Sequence, residues 1–520
     1  MSRAAIYVGT APVLYLDSAP TSWVRPAWPA LADITSLNNR FTAVYGVENS
    51  DSNFVSLLAQ TSSGTYTVDW GDGTIDSGIV SNVQANHTYN YATIAASVVG
   101  EFKPVVVTVT TSGGNITTFN LQRKNPLNTP SAASRINWLD IAINASAMTT
   151  LAISAGPPVV RLSKLQQVKI YNNSVTNMSS MFHSCRSLQS VYLFNTASAT
   201  NMTAMFQNCS VLQSIPLFNT SAVTTMGVMF ANCSSLQTVP LFNTSAVTNM
   251  SGMFGNCYSL QSIPLFNTAS VQFMGGMFNS CYSLQSVPLF NTGLVQDMYT
   301  MFQDCHSLQS VPLFNTVSVG DMSFMFDNCY CLQSVPLFNT VNVLDMTNMF
   351  YTCRSLKTVP LFNTSQVNNM SSMFLNCEAL ESVPLFVTTS LMFMTSMFLG
   401  CVSLQSIPLF NIATVTFMSN AFEGCSSLQS VPLFNTASID SAAGVSLLFN
   451  LCSSLCQGRT NGIRFAISYV NCKLSTAALN DIFTGLGTAS GSQTITVTGN
   501  PGAATCNTSI ATAKGWTVAI

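Results

Sequence analysis

Four sets of side chains recur every 24 residues in this chain, and each is of a type that could do chemistry. Eleven cysteines run from Cys185 through Cys209, Cys233 and Cys257 to Cys401 and Cys425; thiolates bind soft metals and exchange disulfides. Two methionine ladders, exemplified by Met250 and Met253, offer thioethers that suit copper. Asp297, Asp321 and Asp345 stand one period apart, each just before a methionine, as a cation ladder would. The position after each ladder cysteine reads Arg186, Ser210, Ser234, Tyr258, Tyr282, His306, Tyr330, Arg354, Glu378, Val402 and Ser426.

Each set has a plainer reading. Identical side chains on stacked parallel coils point the same way rather than at one another, which is poor disulfide geometry. The cysteines therefore read as a buried, reduced thiol ladder, and the methionines as fillers of core gaps. Cys452, Cys456, Cys472 and Cys506 lie off the ladder, and their pairing is open. Asn177, Asn201, Asn249 and Asn369 share the slot of the three aspartates, which marks it as a helix N-cap, with cation binding as the alternative. The slot after the cysteine varies too much for a core position, so it faces solvent. Tyr258, Tyr282, His306 and Tyr330, followed by Arg354, form a candidate contact stripe for a glycan or protein. The alternative is ring-on-ring stacking for stability.

A fixed period in the twenties means one supersecondary unit per repeat, stacked on its neighbours as a solenoid. In Leu260-Gln-Ser-Ile263-Pro-Leu265 the apolar residues fall at positions one, four and six, the pattern of a repeat strand. Val247, Met250, Met253, Phe254 and Cys257 have helical spacing. The expected coil is a short strand, a turn at Phe-Asn-Thr, and one or two helical turns, with successive strands parallel and ~4.8 Å apart. Pro216, Pro240, Pro264 and their equivalents to Pro432 forfeit ladder donors, so the strands should be very short. Stacked Asn219, Asn243 and Asn267 should satisfy turn backbone and one another.

The repeated phrase Met-Ser-x-Met-Phe-x-x-Cys-x-Ser-Leu-x-Ser-Val resembles the leucine-rich repeat of BspA-like bacterial surface proteins. That resemblance implies a fold and an association with surface recognition, no chemistry, and Phe242 and its equivalents pointing inward. Upstream, Tyr66-Thr-Val-Asp69-Trp70-Gly-Asp72-Gly73-Thr74, then His87-Thr-Tyr89, then Lys103 to Val109, is similar to a PKD-type immunoglobulin-like sandwich. Asp-Gly makes the hairpin there, and a turn role for Asp69 and Asp72 outweighs a metal pair. The expected fold is mostly β with short helices, an immunoglobulin-like (PKD) β-sandwich followed by a 24-residue leucine-rich-repeat solenoid with terminal caps. The expected segments are an arm (1–36), the sandwich (37–125), a linker with cap coils (126–176), the solenoid (177–441) and degenerate C-terminal coils (442–520). At the end, an amphipathic stretch from Leu474 to Leu486, a strand at Thr494 to Thr498 and Trp516 should seal the core, with the indole N–H left in water.

With 520 residues, net charge −2, 7% charged and 48% hydrophobic residues, the chain has no basic patch for nucleic acid and is not disordered. No stretch is apolar enough to span a membrane, and Gly9, Pro12 and Asp17 interrupt any export signal. Three histidines, and no nucleophile elbow, phosphate loop or His-rich metal motif, leave an enzyme a distant reading; no cofactor or metal is expected. The PKD-like module, irregular arm and uncharged repeats together resemble bacteriophage fibre or appendage proteins. That resemblance implies a virion structural protein that attaches to the host surface. Its N-terminal region would meet other virion proteins, its solenoid a host glycan or protein, in a homo-oligomer such as a trimer. The alternative is a BspA-like adhesin of the bacterial cell surface.

Overall fold

A computed structural model describes residues 24–50, 53–121, 137–153, 162–171, 173–192 and 194–520, and the backbone of 6–8 and 11–13. Parts of the expected arm (1–5, 9–10, 14–23) and of the expected linker (126–136, 154–161, 172) lie outside the described residues. The chain divides into two compact units, Met1–Val247 with Asn256–Leu260, and Thr248–Gly255 with Gln261–Ile520. The fold is mostly β, a β-solenoid of about 14 turns with few short helices and a sheet domain in the N-terminal part. Among the described residues no helix is long and apolar enough to cross a membrane.

The first unit begins with an antiparallel pair, β1 (Ile6–Val8) and β2 (Ala11–Val13). Next come β3 (Arg40–Val47), β4 (Phe54–Thr61), β5 (Thr65–Asp69), β6 (Ile75–Val80), β7 (Gln84–Thr88), β8 (Lys103–Thr111) and β9 (Ile116–Asn120). Alternation directs them: Tyr66 and Val68 of β5, and Val105, Val107 and Val109 of β8, are buried. The Phe41 and Phe119 rings stack at 4.5 Å in the core. Then β10 (Trp138–Asn144), β11 (Thr150–Ala152), β12 (Gln167–Ile170) and β13 (Ser190–Val191) extend the two sheets. The larger sheet runs β13-β12-β10-β3-β8-β5-β6, so the first repeat coil is hydrogen-bonded into the sandwich sheet; the smaller runs β11-β9-β4-β7. The described part of the N-terminal segment packs down on this sheet, with Trp28 against Val44, Phe102 and Leu139 and Arg25 paired to Asp140 at 2.9 Å.

The repeat coil corrects the helical expectation. Every coil holds two residues in left-handed backbone four positions apart, such as Thr300 (φ 51°) with Asp304 (φ 59°), and Phe324 (φ 56°) with Asn328 (φ 57°). A helix cannot pass through such residues, so the segment is a run of tight turns. Met301 N–H donates to Met298 O at 3.2 Å and Cys305 N–H to Phe302 O at 3.1 Å. The intervening N–H groups turn sideways into the next coil: Met298 to Asp321 O (3.4 Å), Thr300 to Ser323 O (3.1 Å), Phe302 to Met325 O (2.9 Å) and Asp304 to Asp327 O (2.7 Å). The inter-coil ladder therefore lies mainly in the Met-Phe-Cys half, and the leucine half adds single bonds such as Gln309 N–H to Gln285 O at 3.2 Å.

The leucine half does not bury all of its apolar positions. Leu308, Val311 and Phe314 are buried, but Leu313 is 58% exposed, as are its equivalents from Leu217 to Leu433 within a few per cent. Phe314 N–H donates to Pro312 O at 3.0 Å, a three-residue turn with Leu313 at its apex. That turn swings phenylalanine inward and leucine out. Proline limits strand pairing here, as expected. Where the slot holds Tyr192 instead, its N–H donates to Val168 O at 3.1 Å, and β12 pairs with β13. At the other flank β14 (Ser430–Asn435) pairs in parallel with the proline-free β15 (Gln457–Asn461).

Inside the coils the side chains form ladders. The phenylalanine preceding each cysteine stacks on its successor, Phe302 on Phe326 at 5.6 Å and Phe326 on Phe350 at 5.6 Å. The asparagines accept from turn backbone, as Asn315 Oδ1 does from Val317 N–H at 3.2 Å. The bond between coils belongs to threonine: Thr316 Oγ1–H donates to Asn339 O at 2.7 Å, and Thr340 to Asn363 O at 2.7 Å.

At the C-terminal end the coil survives a three-residue insertion, with Phe449 stacked on Phe422 at 5.7 Å. Beyond it β16 (Ile467–Ser468), β17 (Gln493–Thr496) and β18 (Trp516–Ala519) form a parallel sheet. α1 (Thr476–Gly485), capped by Ser475 accepting from Ala478 N–H at 3.2 Å, buries Leu479, Ile482 and Phe483. Trp516 is buried, and its Nε1–H donates to Gly487 O at 2.8 Å. Its plug role stands, but the indole proton goes to a carbonyl and not to water.

All sixteen cysteines are free thiols, Cys452, Cys456, Cys472 and Cys506 included. The ladder members are buried and act as donors: Cys305 Sγ–H donates to Phe278 O at 3.1 Å and Cys329 to Phe302 O at 3.1 Å. Burial pushes the Cys233 thiol up to about 12, although a backbone hydrogen bond opposes it. A buried thiol of that kind is a poor nucleophile. In the native protein, a thiol reagent at neutral pH should modify the exposed Cys331 and Cys456 and leave Cys185 to Cys425 unlabelled until denaturant is added. Mass spectrometry of the labelled peptides checks this, and fast native labelling of the ladder would contradict the buried array.

Candidate functional site

The slot after each ladder cysteine faces solvent. In the second unit Tyr282 stacks on His306 with ring centroids 4.4 Å apart and nearly parallel planes, and His306 on Tyr330 at 4.5 Å. The Arg354 guanidinium lies 5.2 Å from the Tyr330 ring centre and 3.4 Å from a Glu378 carboxylate oxygen. Four of the five stripe residues are thus brought together as one ordered array; Tyr258 belongs to the first unit, where it is 40% exposed. The coil backbone fixes this register, since Ser307 N–H donates to Tyr282 O and Ser355 N–H to Tyr330 O, both at 3.2 Å. Both readings of the stripe are therefore geometrically present: the rings stack on one another, and their outer edges remain accessible.

Asp297, Asp321 and Asp345 also stack, their backbones bridged in parallel. Each carboxylate accepts from the N–H two residues on: Tyr299 (2.8 Å), Ser323 (2.8 Å) and Thr347 (2.7 Å). The expected capping bond is there, but it caps a turn and not a helix. Burial raises the Asp297 carboxyl, the Tyr299 N–H opposes this, and Asp321 adds to it. Among the described residues no group of three or more His, Cys, Asp or Glu is placed to hold a metal ion. In the sandwich, Asp69 and Asp72 accept from Gly71 N–H (2.9 Å) and Thr74 N–H (3.0 Å), and His87 Nε2 lies 2.8 Å from Asp72. Those carboxylates are bound into the hairpin.

A polar seam beside the stripe escaped sequence reasoning. Asn279 donates to Gln303 Oε1 at 2.8 Å, Gln303 to Asp327 Oδ2 at 3.0 Å, and Asn328 to Asp304 Oδ1 at 3.0 Å. Asp327 is buried, and its Oδ1 has no partner. Burial first, with Asp304 adding, raises its carboxyl to about 7 against the Gln303 bond. The signal available was weak: the slot two residues before the ladder cysteine carries a carboxylate at Asp327 and at Glu423, and uncharged residues or His183 in the other coils. The outward leucines are the other surface missed, because their spacing imitates a core position.

The fold and its solvent-facing ladders define a leucine-rich-repeat-type β-solenoid. The chain belongs to the family described as Mycoplasma protein of unknown function, DUF285, whose model matches residues 161–262, 234–334 and 321–435, together more than half of the chain. No curated protein matches it. Among solved structures it is similar to a leucine-rich cell-surface protein from Faecalibacterium prausnitzii, at 18% identity over 71% of this chain and 91% of that one, TM-score 0.35. It is also similar to a leucine-rich repeat protein from Eubacterium ventriosum, at 18% identity over 50% of this chain and 83% of that one, TM-score 0.31. A third is the pneumococcal vaccine antigen PcpA, at 14% identity over 75% of this chain and 84% of that one, TM-score 0.33. At these identities and scores the likenesses carry no argument about activity or partner. Nothing among these matches speaks for a virion component or for a PKD domain.

Proposed function

We propose that this chain is a non-enzymatic adhesin of the bacterial cell surface, whose solenoid contacts a glycan or protein on an opposing surface. The observation that carries the reading is the Tyr282–His306–Tyr330–Arg354 array on a backbone held by hydrogen bonds between coils. Recurrent apolar positions of the coil go mainly to the core, and the variable solvent slot is where rings and a guanidinium collect. Rigid aromatics lose little freedom on binding, and aromatics and arginine are the residues on which contact energy concentrates. The cell-surface placement goes with the BspA-like repeat phrase and is preferred over the virion.

The test is a double variant, Tyr282→Ser with Tyr330→Ser. Serine already fills this slot at Ser210, Ser234 and Ser426, so the coil tolerates it. Truncating a contact hot spot costs ~2 kcal/mol or more, so binding of the purified protein to host cells or a mucin layer should fall well over tenfold, with melting almost unmoved. Full binding with a lowered melting temperature would assign the rings to stacking alone, at ~0.5–1.5 kcal/mol per pair.

A further inference from the structure

The ring slot of the first unit has a gap. Between Arg186 and Tyr258 two coils carry Ser210 and Ser234 there, and the space left is a cleft of about 270 Å³. Its remaining lining residues are Asn208, Asn232 and Asn256, one from each coil. We propose that this cleft binds one carboxylated sugar ring of an acidic glycan. The proposal rests on the surface-contact reading above and names a ligand class for it.

The lining supplies each part of such a ligand's chemistry. Arg186 is the one charged residue of the lining, is exposed, and forms no ion pair among the described residues. An unpaired planar guanidinium is suited to bidentate capture of a carboxylate. Ser234 Oγ–H donates to Ser210 O at 3.1 Å and Ser210 Oγ–H to Arg186 O at 3.4 Å, so both hydroxyl oxygens keep lone pairs for incoming O–H donors. The Asn208 amide nitrogen is engaged by Ser184 Oγ at 3.4 Å, which leaves its carbonyl to accept. Among the described residues the side-chain amides of Asn232 and Asn256 have no hydrogen-bond partner, so each offers a donor and an acceptor side by side, as neighbouring sugar hydroxyls require. Tyr258 closes one end with a ring, on which the C–H face of a pyranose can pack. The volume lies just below the usual ~300–1,000 Å³ of small-molecule sites, which suits one ring and not a longer ligand. An acidic peptide side chain would use the arginine and leave the row of amides and hydroxyls idle, so the sugar is favoured.

The experiment is ligand-observed saturation-transfer NMR on the full chain with glucuronate and galacturonate, against glucose, galactose and a blocked Asp-Glu dipeptide. Uronate binding is expected, with neutral sugars and the dipeptide at least tenfold weaker. Arg186→Gln should weaken uronate binding at least tenfold, and Ser234→Tyr, which fills the cleft with a residue this slot already holds in other coils, should abolish it; both should leave melting unchanged. Absence of uronate binding, indifference to both substitutions, or equal binding of neutral sugars would overturn the proposal, and preference for the dipeptide would replace the sugar by a peptide. A protein that still adheres through Tyr282 and Tyr330 but binds no uronate would lose this proposal and keep the adhesive function.

Discussion

Met253→Asp should unfold the coils around it. Met253 is fully buried between the two left-handed turns of its coil, so the carboxylate would sit among methionine, phenylalanine and cysteine ladders without a partner. Burying an unpaired charge belongs to the few mechanisms that cost more than ~4 kcal/mol. Each coil leans only on its neighbours, so the loss should spread along the array through broken interfaces. The control is Met253→Leu, a near volume-conserving change expected to cost under ~1.5 kcal/mol. Thermal or urea melting of both variants reads the difference, and a Met253→Asp protein that melts like the parent would remove this position from the interior.

The second large effect is a dependence on pH. Asp327 is 5% exposed, and burial raises its carboxyl to about 7, well above its unfolded value near 3.8. Between those values the folded chain holds a proton that the unfolded chain has released. Stability therefore falls as pH rises from about 4 to about 7 and then levels off. At about 1.36 kcal/mol per pH unit the loss is at most ~4 kcal/mol. Asp327→Asn keeps an acceptor for Gln303 and removes the titration, so the variant should be the more stable above pH 7. The two proteins should converge near pH 4. Melting temperatures measured across that range provide the check, and an unchanged slope in the asparagine variant would clear Asp327 of responsibility.

Much of the architecture was legible because the period is strict. The 24-residue register named the solenoid, the buried methionine, phenylalanine and cysteine ladders, and the solvent slot carrying the rings. Spacing failed where two backbones share one periodicity. Apolar residues at i, i+3 and i+7 fit a helix, but also fit turns with a left-handed residue every fourth position. The better cue was the Asn or Gly before many ladder cysteines, at Asn208, Asn232, Asn256, Asn328, Asn376, Gly400 and Gly424. Leu313 and its equivalents misled for a different reason. Their exposure depends on a backbone bond from Phe314 N–H to Pro312 O, which no side-chain pattern announces. The raised carboxyl of Asp327 could not be read from its slot alone, because its environment comes from Gln303 and Asp304 of the preceding coil.

Among the described residues the hydrogen bonds between coils join adjacent repeats: Thr316 reaches Asn339, Met298 reaches Asp321, and Cys329 reaches back to Phe302. Excising one whole 24-residue phrase would leave each remaining coil with a neighbour presenting the same partners. Unequal recombination between these near-identical phrases is thus structurally silent, and it changes the number of coils by whole steps of ~4.8 Å. A lineage carrying such a gene can lengthen or shorten its contact array without passing through a misfolded intermediate, while the slot after each cysteine diversifies independently.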